Sequence, residues 1–376
     1  MRLVTIMLLA AAFMQVSISC NSKEKKIEER NNLIDSILVS MQQHMYQAQI
    51  DSMAAKTGFN GVISIYHDTV EIYKLRHGFR DFPGKAAFAD NTIFSIASIS
   101  KQITAAMIMQ LQEQGKLQVQ DPVAKYLEDY NTSAKKNISI HQLLTHTSGI
   151  YDFGPGLQFQ PGTDFGYSNV GYNDLGRVIE HVTGQDYDTY AQHFFQQAGL
   201  QHTRTPALLT DPNFASAYHG SVTTPILMEN MPMRLAGNNI GVPAGGILSS
   251  VEDLHLWNQK LYSRQIIDST SLSALTQVHT RRKLSVDGSV GYGYGLHISD
   301  QTPLSYYHTG YIKGAPSLNI YYPQSKTSVI ILSNHADESK SKREIFRPHF
   351  QVKSWCDALQ TVVPKLQEQY KHQATQ

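Results

Sequence analysis

The chain has very little cysteine and almost no net charge. Only two of its 376 residues are cysteine, Cys20 and Cys356, so at most one disulfide bond could form within it. There are 32 basic and 31 acidic residues, which gives a net charge of +1, and no long basic block. Binding to nucleic acid requires concentrated positive charge. We therefore expect no nucleic-acid partner.

The chain also lacks a metal-binding pattern. Its 16 histidines include no helical His-x-x-x-His or His-Glu-x-x-His pair. His141 and His146 are five residues apart, a spacing more typical of packing or capping than of metal ligation. The sequence therefore predicts no metal and no cofactor.

The N-terminus is predicted to be an export signal. The apolar run from Leu3 to Met14 is too short to span a bilayer, and Val16-Ser17-Ile18-Ser19-Cys20 follows it. This resembles a bacterial lipoprotein signal peptide over residues 1–19, with Cys20 as the acylated residue. Ser17 departs from the usual aliphatic residue, so plain secretion with cleavage near Ser19 is the alternative.

Residues 20–32 are charged and are predicted to form a flexible tether. The protein is then exported to the bacterial periplasm or cell envelope, and a lipid anchor alone holds it to the membrane. If Cys20 is lipidated, Cys356 has no partner, and no internal disulfide forms despite the oxidising compartment.

Patterning along residues 33–376 predicts one α+β domain. The helical spacing of Leu33, Ile37, Met41 and Met45 predicts an amphipathic opening helix. Further strands are predicted at 61–66, 70–75, 292–298, 304–311, 317–322 and 327–332, with helices dominating 98–265 and a helical tail from 352.

Strands at both chain ends surround the helical middle. We expect one sheet lobe, from about 33–97 and 285–376, and a helical lobe over about 98–284, with the active site between them. The oligomeric state is left open.

Ser98 and Lys101 form the most informative pair in the sequence. They are separated by about one helical turn and precede the apolar run 103–111, so both side chains should share one face of a buried helix. A lysine with a lowered pKa can take the proton of a serine hydroxyl. The simpler alternative is a helix cap, because Ser-x-x-Lys also occurs at Ser133 to Lys136 in a polar segment.

Two further segments carry polar groups that suit the same chemistry. Tyr167 and Asn169 follow a Pro-Gly turn and lie on one side of an extended segment, where the phenol could act as a base and the amide could bind a substrate amide. His308-Thr309-Gly310 ends a predicted strand, and Gly310 leaves room for the close approach of another backbone. Taken alone, each also fits an ordinary loop or hairpin.

In this order, the three elements resemble those of the serine β-lactamases and penicillin-recognising D,D-peptidases. The resemblance covers about residues 55–335 and is strongest for the branch with Tyr-x-Asn, which holds class C β-lactamases, D-alanyl-D-alanine carboxypeptidases, D-aminopeptidases and lactamase-like esterases. The flanking stretches Gln142-Leu143-Leu144-Thr145-His146-Thr147-Ser148-Gly149 and Ala244-Gly245-Gly246 agree with it. It implies a three-layer α/β/α fold whose antiparallel sheet is flanked by helices, with a mainly helical lobe.

One departure bears on function. Where β-lactamases of this group usually carry Lys-Thr-Gly, the chain has His308, whose charge is expected to depend on pH near neutrality. Family members with histidine here are more often peptidases or esterases than efficient β-lactamases.

The resemblance implies a serine hydrolase that forms an acyl-enzyme on Ser98. Lys101 and Tyr167 would share the general-base work, and the backbone N–H groups of Ser98 and Tyr311 would bind the oxyanion. Asn169, His308, Thr309 and Gly310 would contact substrate. The expected substrate is a small D-amino-acid peptide, such as a peptidoglycan fragment. The alternatives are a carboxylic ester, a β-lactam, or mere binding of muropeptides without turnover.

Overall fold

The structure is a computed structural model that describes residues 2–229, 231–232, 240–284 and 288–372, with side chains described from residue 24 onward except at 284 and 372. The helices are α1 (Arg2–Thr57), α2 (Ser100–Glu113), α3 (Ile140–Leu144), α4 (Asn169–Thr183), α5 (Tyr187–Ala198), α6 (Val251–Tyr262), α7 (Ser269–Thr276), α8 (Lys342–Ile345) and α9 (Arg347–His372).

The strands alternate with these helices mainly at the two ends of the chain. They are β1 (Gly61–His67), β2 (Val70–His77), β3 (Phe94–Ser95), β4 (Tyr218–Ser221), β5 (Thr224–Leu227), β6 (Leu248–Ser249), β7 (Thr280–Leu284), β8 (Gly288–Tyr292), β9 (His297–Ser299), β10 (Ser305–Ile312), β11 (Ala315–Tyr322), β12 (Thr327–Ser333) and β13 (His335–Ala336).

The main sheet is antiparallel and draws on both chain ends. In the described residues it has eight strands in the order β2-β1-β12-β11-β10-β9-β8-β7. Strand β1 pairs with β12, with Gly61 opposite Ser333. The predicted antiparallel sheet built from both ends of the chain is therefore confirmed.

Each face of the sheet is covered by a separate apolar core. On one face, α1 and α9 pack through residues such as Tyr46, Ile50 and Val352. On the other, the helical lobe packs through α2, whose residues from Ser100 to Met109 are all buried. Burial of both faces explains why β11 and β12 are buried along their full lengths. The three-layer α/β/α architecture is confirmed.

The exposed face of the opening helix was predicted wrongly. Leu33 and Ile37, expected to face the core, are 60% and 58% exposed. The apolar stripe that begins one residue later is the buried one, because Tyr46 packs against Tyr73 with ring centroids 6.2 Å apart and Ile50 is fully buried. Apolar side chains on both stripes made the periodicity ambiguous, and the larger buried side chains decide the face.

The predicted strand at 292–298 is also wrong, since the structure has β8 and β9 there with a turn between them. The turn is closed by a hydrogen bond from the Gly293 N–H to the Leu296 carbonyl. Gly295 has φ +73°, and a Cβ there would lie 2.5 Å from the carbonyl oxygen of Lys101. Glycine thus lets this turn pack directly against α2.

Helix α1 includes the predicted tether, residues 20–32. Cys20 lies in the part of α1 whose side chains the structure does not describe, so lipidation stays a prediction. Cys356 is buried and carries a free thiol. In the described part of the chain, no helix combines the length and apolar character needed to cross a bilayer.

Candidate active site

Ser98 lies on a sharp turn between β3 and α2. Residues Ala97–Ile99 form one 3-10 turn, and Ala97 adopts φ +50°, a left-handed conformation that is unfavourable for a side chain with a Cβ. The Ser100 hydroxyl accepts a hydrogen bond from the Ile247 N–H at 3.1 Å and holds the start of α2. The strained turn leaves Ser98 partly exposed while its neighbours are buried.

Lys101 is fully buried beside Ser98. Its Nζ lies 3.3 Å from the Ser98 Oγ, 2.8 Å from the Asn169 Oδ1 and 2.6 Å from the Ala244 carbonyl oxygen. Burial lowers its pKa well below the usual value, opposed by the charge of Asp152 and assisted by that of Arg282. A neutral amine has two N–H bonds and one lone pair. In the neutral form, donation of these two N–H bonds to Asn169 and Ala244 would leave the lone pair for the Ser98 hydroxyl.

Asn169 is the first residue of α4, and its amide orientation is fixed by Asp152. The Asn169 Nδ2 donates to the Asp152 Oδ2 at 3.1 Å, so its Oδ1 faces Lys101. Ser168, rather than Asn169, caps the helix by accepting from the Gly171 N–H. One N–H of the Asn169 amide remains available to a substrate.

Sequence reasoning missed Asp152. Its carboxylate accepts from the Ser168 hydroxyl at 2.8 Å and from the backbone N–H groups of Asn169 and Val170 at 2.9 and 3.0 Å, in addition to the Asn169 amide. A carboxylate at a helix N-terminus is favoured by the helix dipole. Its one sequence signal is its position three residues after Gly149, at the end of the Leu-Leu-Thr-His-Thr-Ser-Gly stretch.

The side chain of Tyr167 lies between two basic groups. The centroid of its ring is 4.7 Å from the Lys101 Nζ and 4.6 Å from the Arg282 Cζ. Desolvation raises the pKa of Tyr167 to about 12, although hydrogen bonding to Ser98 and the charge of Arg282 lower it. The phenol is therefore protonated at neutral pH, contrary to the expectation that it readily loses its proton.

A chain of hydrogen bonds joins the Tyr167 segment to His308. The Ser168 N–H donates to the His146 Nδ1 at 3.1 Å, so the His146 Nε2 carries the proton and donates to the Tyr292 oxygen at 3.1 Å. The Tyr292 O–H then donates to the His308 Nε2 at 3.2 Å. The His308 Nδ1–H donates to the Thr309 carbonyl at 2.7 Å. One set of neutral tautomers satisfies every member of the chain.

His308 differs in two ways from what the sequence predicts. Burial lowers its pKa to about 3, assisted by the nearby charge of Arg282, so its charge does not change near neutral pH. Both ring nitrogens are engaged by the protein. The ring is thus arranged to hold Thr309 rather than to offer a proton to a substrate carboxylate.

Strand β10 lies against the Ser98 turn. A Cβ on Gly310 would sit 2.1 Å from the Ile96 carbonyl oxygen, so the predicted close approach of another backbone is confirmed. Strand β9 pairs only with residues 305–307 of β10. Among the described residues, no strand therefore pairs with the edge of β10 from Thr309 to Tyr311 on the side of β9.

Tyr311 is anchored through its side chain. Its hydroxyl donates to the carboxylate of Glu338, which also accepts from the Gly314 N–H at 2.9 Å. Glu338 had no sequence signal. Because the Tyr311 hydroxyl is bonded to Glu338, the backbone N–H is the group of Tyr311 that is suited to bind an oxyanion. Among the described residues, no group of three or more His, Cys, Asp or Glu could hold a metal ion.

A serine hydroxyl beside a buried lysine whose pKa is lowered by burial, between an antiparallel sheet and a helical lobe, defines a serine hydrolase. A family model described as Beta-lactamase matches residues 41–352. The chain belongs to the beta-lactamase family.

The chain is similar to several proteins that carry different names. The chain is 26% identical over 337 residues to penicillin-binding protein 4* of Bacillus subtilis, covering 80% of this chain and 74% of that one. It is 30% identical over 210 residues to the teichoic acid D-alanine hydrolase of Staphylococcus aureus, covering 49% of this chain and 51% of that one. The fold matches D-amino acid amidase from Ochrobactrum anthropi SV3 with a TM-score of 0.72 at 19% identity, over 85% of this chain and 98% of that one.

Proposed function

We propose that the protein hydrolyses D-aminoacyl amide or ester bonds through an acyl-enzyme on Ser98. The observation that carries the proposal is the placement of the fully buried Lys101, whose Nζ lies 3.3 Å from the Ser98 Oγ and has the Asn169 Oδ1 and the Ala244 carbonyl oxygen as further partners. A neutral amine so placed can accept the serine proton as the Oγ attacks a carbonyl carbon.

Acylation then proceeds in two steps. The Ser98 Oγ bonds to the carbonyl carbon while its proton passes to the Lys101 Nζ. The backbone N–H groups of Ser98 and Tyr311 stabilise the oxyanion, each lowering the barrier by about 3 kcal/mol. As the C–N or C–O bond breaks, the Tyr167 hydroxyl gives its proton to the leaving group and recovers one from the Lys101 ammonium. Water releases the acyl group by the reverse transfers.

The substrate is expected to bind along the open edge of β10, where an extended peptide can add a strand. Asn169 has one N–H left for the acyl side, and we expect the hydroxyl of Thr309 to bind the far end. His308 contributes by holding Thr309. The names of two relatives, a teichoic acid D-alanine hydrolase and a D-amino acid amidase, support a D-amino-acid substrate.

A carboxylic ester of a simple acid is the second candidate, because the mechanism requires no amide. An efficient β-lactamase and a binder without turnover are weaker candidates, the first because histidine occupies position 308 and the second because Ser98, Lys101, Tyr167 and Asn169 are all present. The leader at 1–19 and Cys20 support an exported, lipid-anchored enzyme that meets cell-wall material.

The test is to follow the intact mass of the purified protein with a fluorophosphonate and with benzylpenicillin, alongside turnover of D-alanyl esters and amides. We expect a fluorophosphonate adduct on Ser98 and turnover of a D-alanyl substrate, both abolished in Ser98→Ala without loss of folding. The matched control is Ser133→Ala, which alters another Ser-x-x-Lys sequence and should change nothing. Full turnover in Ser98→Ala would refute the mechanism.

The fate of benzylpenicillin separates the substrate candidates. A lasting adduct favours a D,D-peptidase-like role with slow deacylation. Consumption of the drug without an adduct indicates a β-lactamase. If the drug is untouched, the pocket rejects β-lactams, and the relative rates on D-alanyl amides and simple esters decide between the two leading candidates.

A further inference from the structure

The catalytic motifs of this protein supply no permanent positive charge. Lys101 is fully buried and its bonding fits a neutral amine, while His308 is locked as a neutral tautomer by Tyr292 and the Thr309 carbonyl. In Lys-Thr-Gly members of the family a lysine occupies position 308. Any permanent positive charge in this cleft therefore has to come from elsewhere in the chain.

Arg282 on β7 brings such a charge to the cleft. Its Cζ lies 4.6 Å from the centroid of the Tyr167 ring and 5.8 Å from that of Phe165. Its Nη1 is 3.3 Å from the Nε2 of His297, which must accept because a guanidinium can only donate. His297 in turn stacks on His308, with centroids 4.7 Å apart. The guanidinium thus contacts both Tyr167 and His297, the ring that stacks on His308.

Arg282 is partly buried, and no carboxylate among the described residues lies within ion-pair distance of it. Its neighbour Arg281 projects from the opposite face of β7 and pairs with Asp300. The two adjacent arginines therefore have different environments. Arg281 is ion-paired at the surface, whereas Arg282 lies beside Tyr167 without a carboxylate partner among the described residues.

We propose that Arg282 supplies the permanent positive charge of this active site and acts on the reaction through Tyr167 and Lys101. It is a positioning residue that favours the phenolate of Tyr167 when that hydroxyl gives up its proton, and it keeps Lys101 in the neutral form. This inference rests on the proposed function, because it assigns Arg282 a part in the same acyl transfer.

The charged groups around Tyr167 determine in which direction the loss of Arg282 would shift the pKa values of Lys101 and Tyr167. The titratable groups that face it are Lys101 on α2, Asp152 and His146 in the loops before α4, Tyr172 on α4, Arg282 on β7, Tyr292 on β8 and His308 on β10. The histidines and tyrosines are neutral at pH 7, and the carboxylate of Asp152 opposes Arg282. Removing Arg282 leaves Asp152 unopposed and raises the pKa of both Lys101 and Tyr167.

The test measures the second-order rate of Ser98 labelling by an uncharged alkyl fluorophosphonate between pH 5 and 10. The probe carries no carboxylate, so any role of Arg282 in holding a substrate carboxylate cannot contribute. In Arg282→Gln we expect the acidic limb of the pH profile, which reports the proton on Lys101, to move to higher pH by about one unit, so that labelling at a given pH on that limb slows about tenfold. Arg282→Lys keeps the charge and should label nearly as the wild type does. Arg281→Gln removes a matched charge from the opposite face and should leave the profile in place.

The inference is overturned if Arg282→Gln labels with an unshifted acidic limb, whether at the wild-type rate or uniformly more slowly. An unshifted acidic limb combined with a raised KM only for carboxylate-bearing substrates would instead assign Arg282 to substrate binding. Failure of the proposed function looks different, because the wild type itself would then show no labelling that depends on Ser98.

Discussion

Buried histidines should make this fold sensitive to mild acid. His146, His297, His308 and His349 are each at most 1% exposed. Burial lowers the pKa of His308 to about 3 and that of His349 to about 4, and it holds those of His146 and His297 well below the usual value. In the unfolded chain each would have a pKa of about 6.5.

The sign and size follow from proton linkage. As the pH falls below about 6.5, the unfolded state binds protons that the folded state excludes, so stability is lost with acid until the folded pKa is reached. Between pH 7 and pH 5, His308 and His349 should each remove about 2 kcal/mol from the free energy of unfolding. His146 and His297 act in the same direction. The combined loss from the four histidines is comparable with the free energy of unfolding of a typical domain, roughly 5–15 kcal/mol.

The assay is urea unfolding at half-unit intervals from pH 7.5 to pH 4.5, followed by circular dichroism. The matched variant is His349→Gln, which removes one buried histidine between α9 and the sheet, away from Ser98. Its free energy of unfolding should fall less steeply with acid, by about 1.4 kcal/mol per pH unit in the range between the two pKa values. A free energy of unfolding that stays constant from pH 7 to pH 5 would refute the reasoning.

Two substitutions test the hydrogen bonds that support the site. In Asp152→Asn, two of the four donors to the carboxylate lose their acceptor, so we expect the protein to lose about 3 kcal/mol or more of stability, which thermal melting beside the exposed control Asp164→Asn checks. The substitution also removes a negative charge beside Lys101, so the acidic limb of the Ser98 labelling profile should move to lower pH. In Tyr292→Phe, the His146 Nε2–H and the His308 Nε2 lose their shared partner, at a cost of about 2–4 kcal/mol, and ¹⁵N NMR should show His308 no longer held as a single tautomer. A Tyr292→Phe protein with wild-type stability and an unchanged His308 spectrum would contradict the assigned chain.

The strands with strong local patterns were predictable from the sequence. Alternation and turn residues located β1, β2, β10, β11 and β12 to within a few residues, since local pairing and burial set their limits. The face of α1 was not predictable, because it depends on packing against α9. The break between β8 and β9 depends on the approach of Gly295 to α2, a long-range contact that periodicity does not report.

The site shows the same division. Ser98, Lys101 and Asn169 were identified from short spacings, and the structure brings the three together around one amine. Asp152 and Glu338 were missed, because their roles depend on contacts with Asn169 and Tyr311 that no spacing reports, and Arg282 was missed because β7 carries no motif. The neutral state of His308 also could not be predicted, since it depends on burial and on Tyr292.

The pairing of β1 with β12 also sets an order of assembly. Gly61 near the start of the domain meets Ser333 near its end, and α9 must still arrive to cover that face of the sheet. A nascent chain that lacks its last hundred residues carries the Ser98 turn and the pair β1 and β2, but it has none of the strands from β7 to β12. Contacts this distant in sequence make folding slow. The chain therefore remains open until its synthesis is nearly complete, and the catalytic serine and the strand that faces it meet only in the finished molecule.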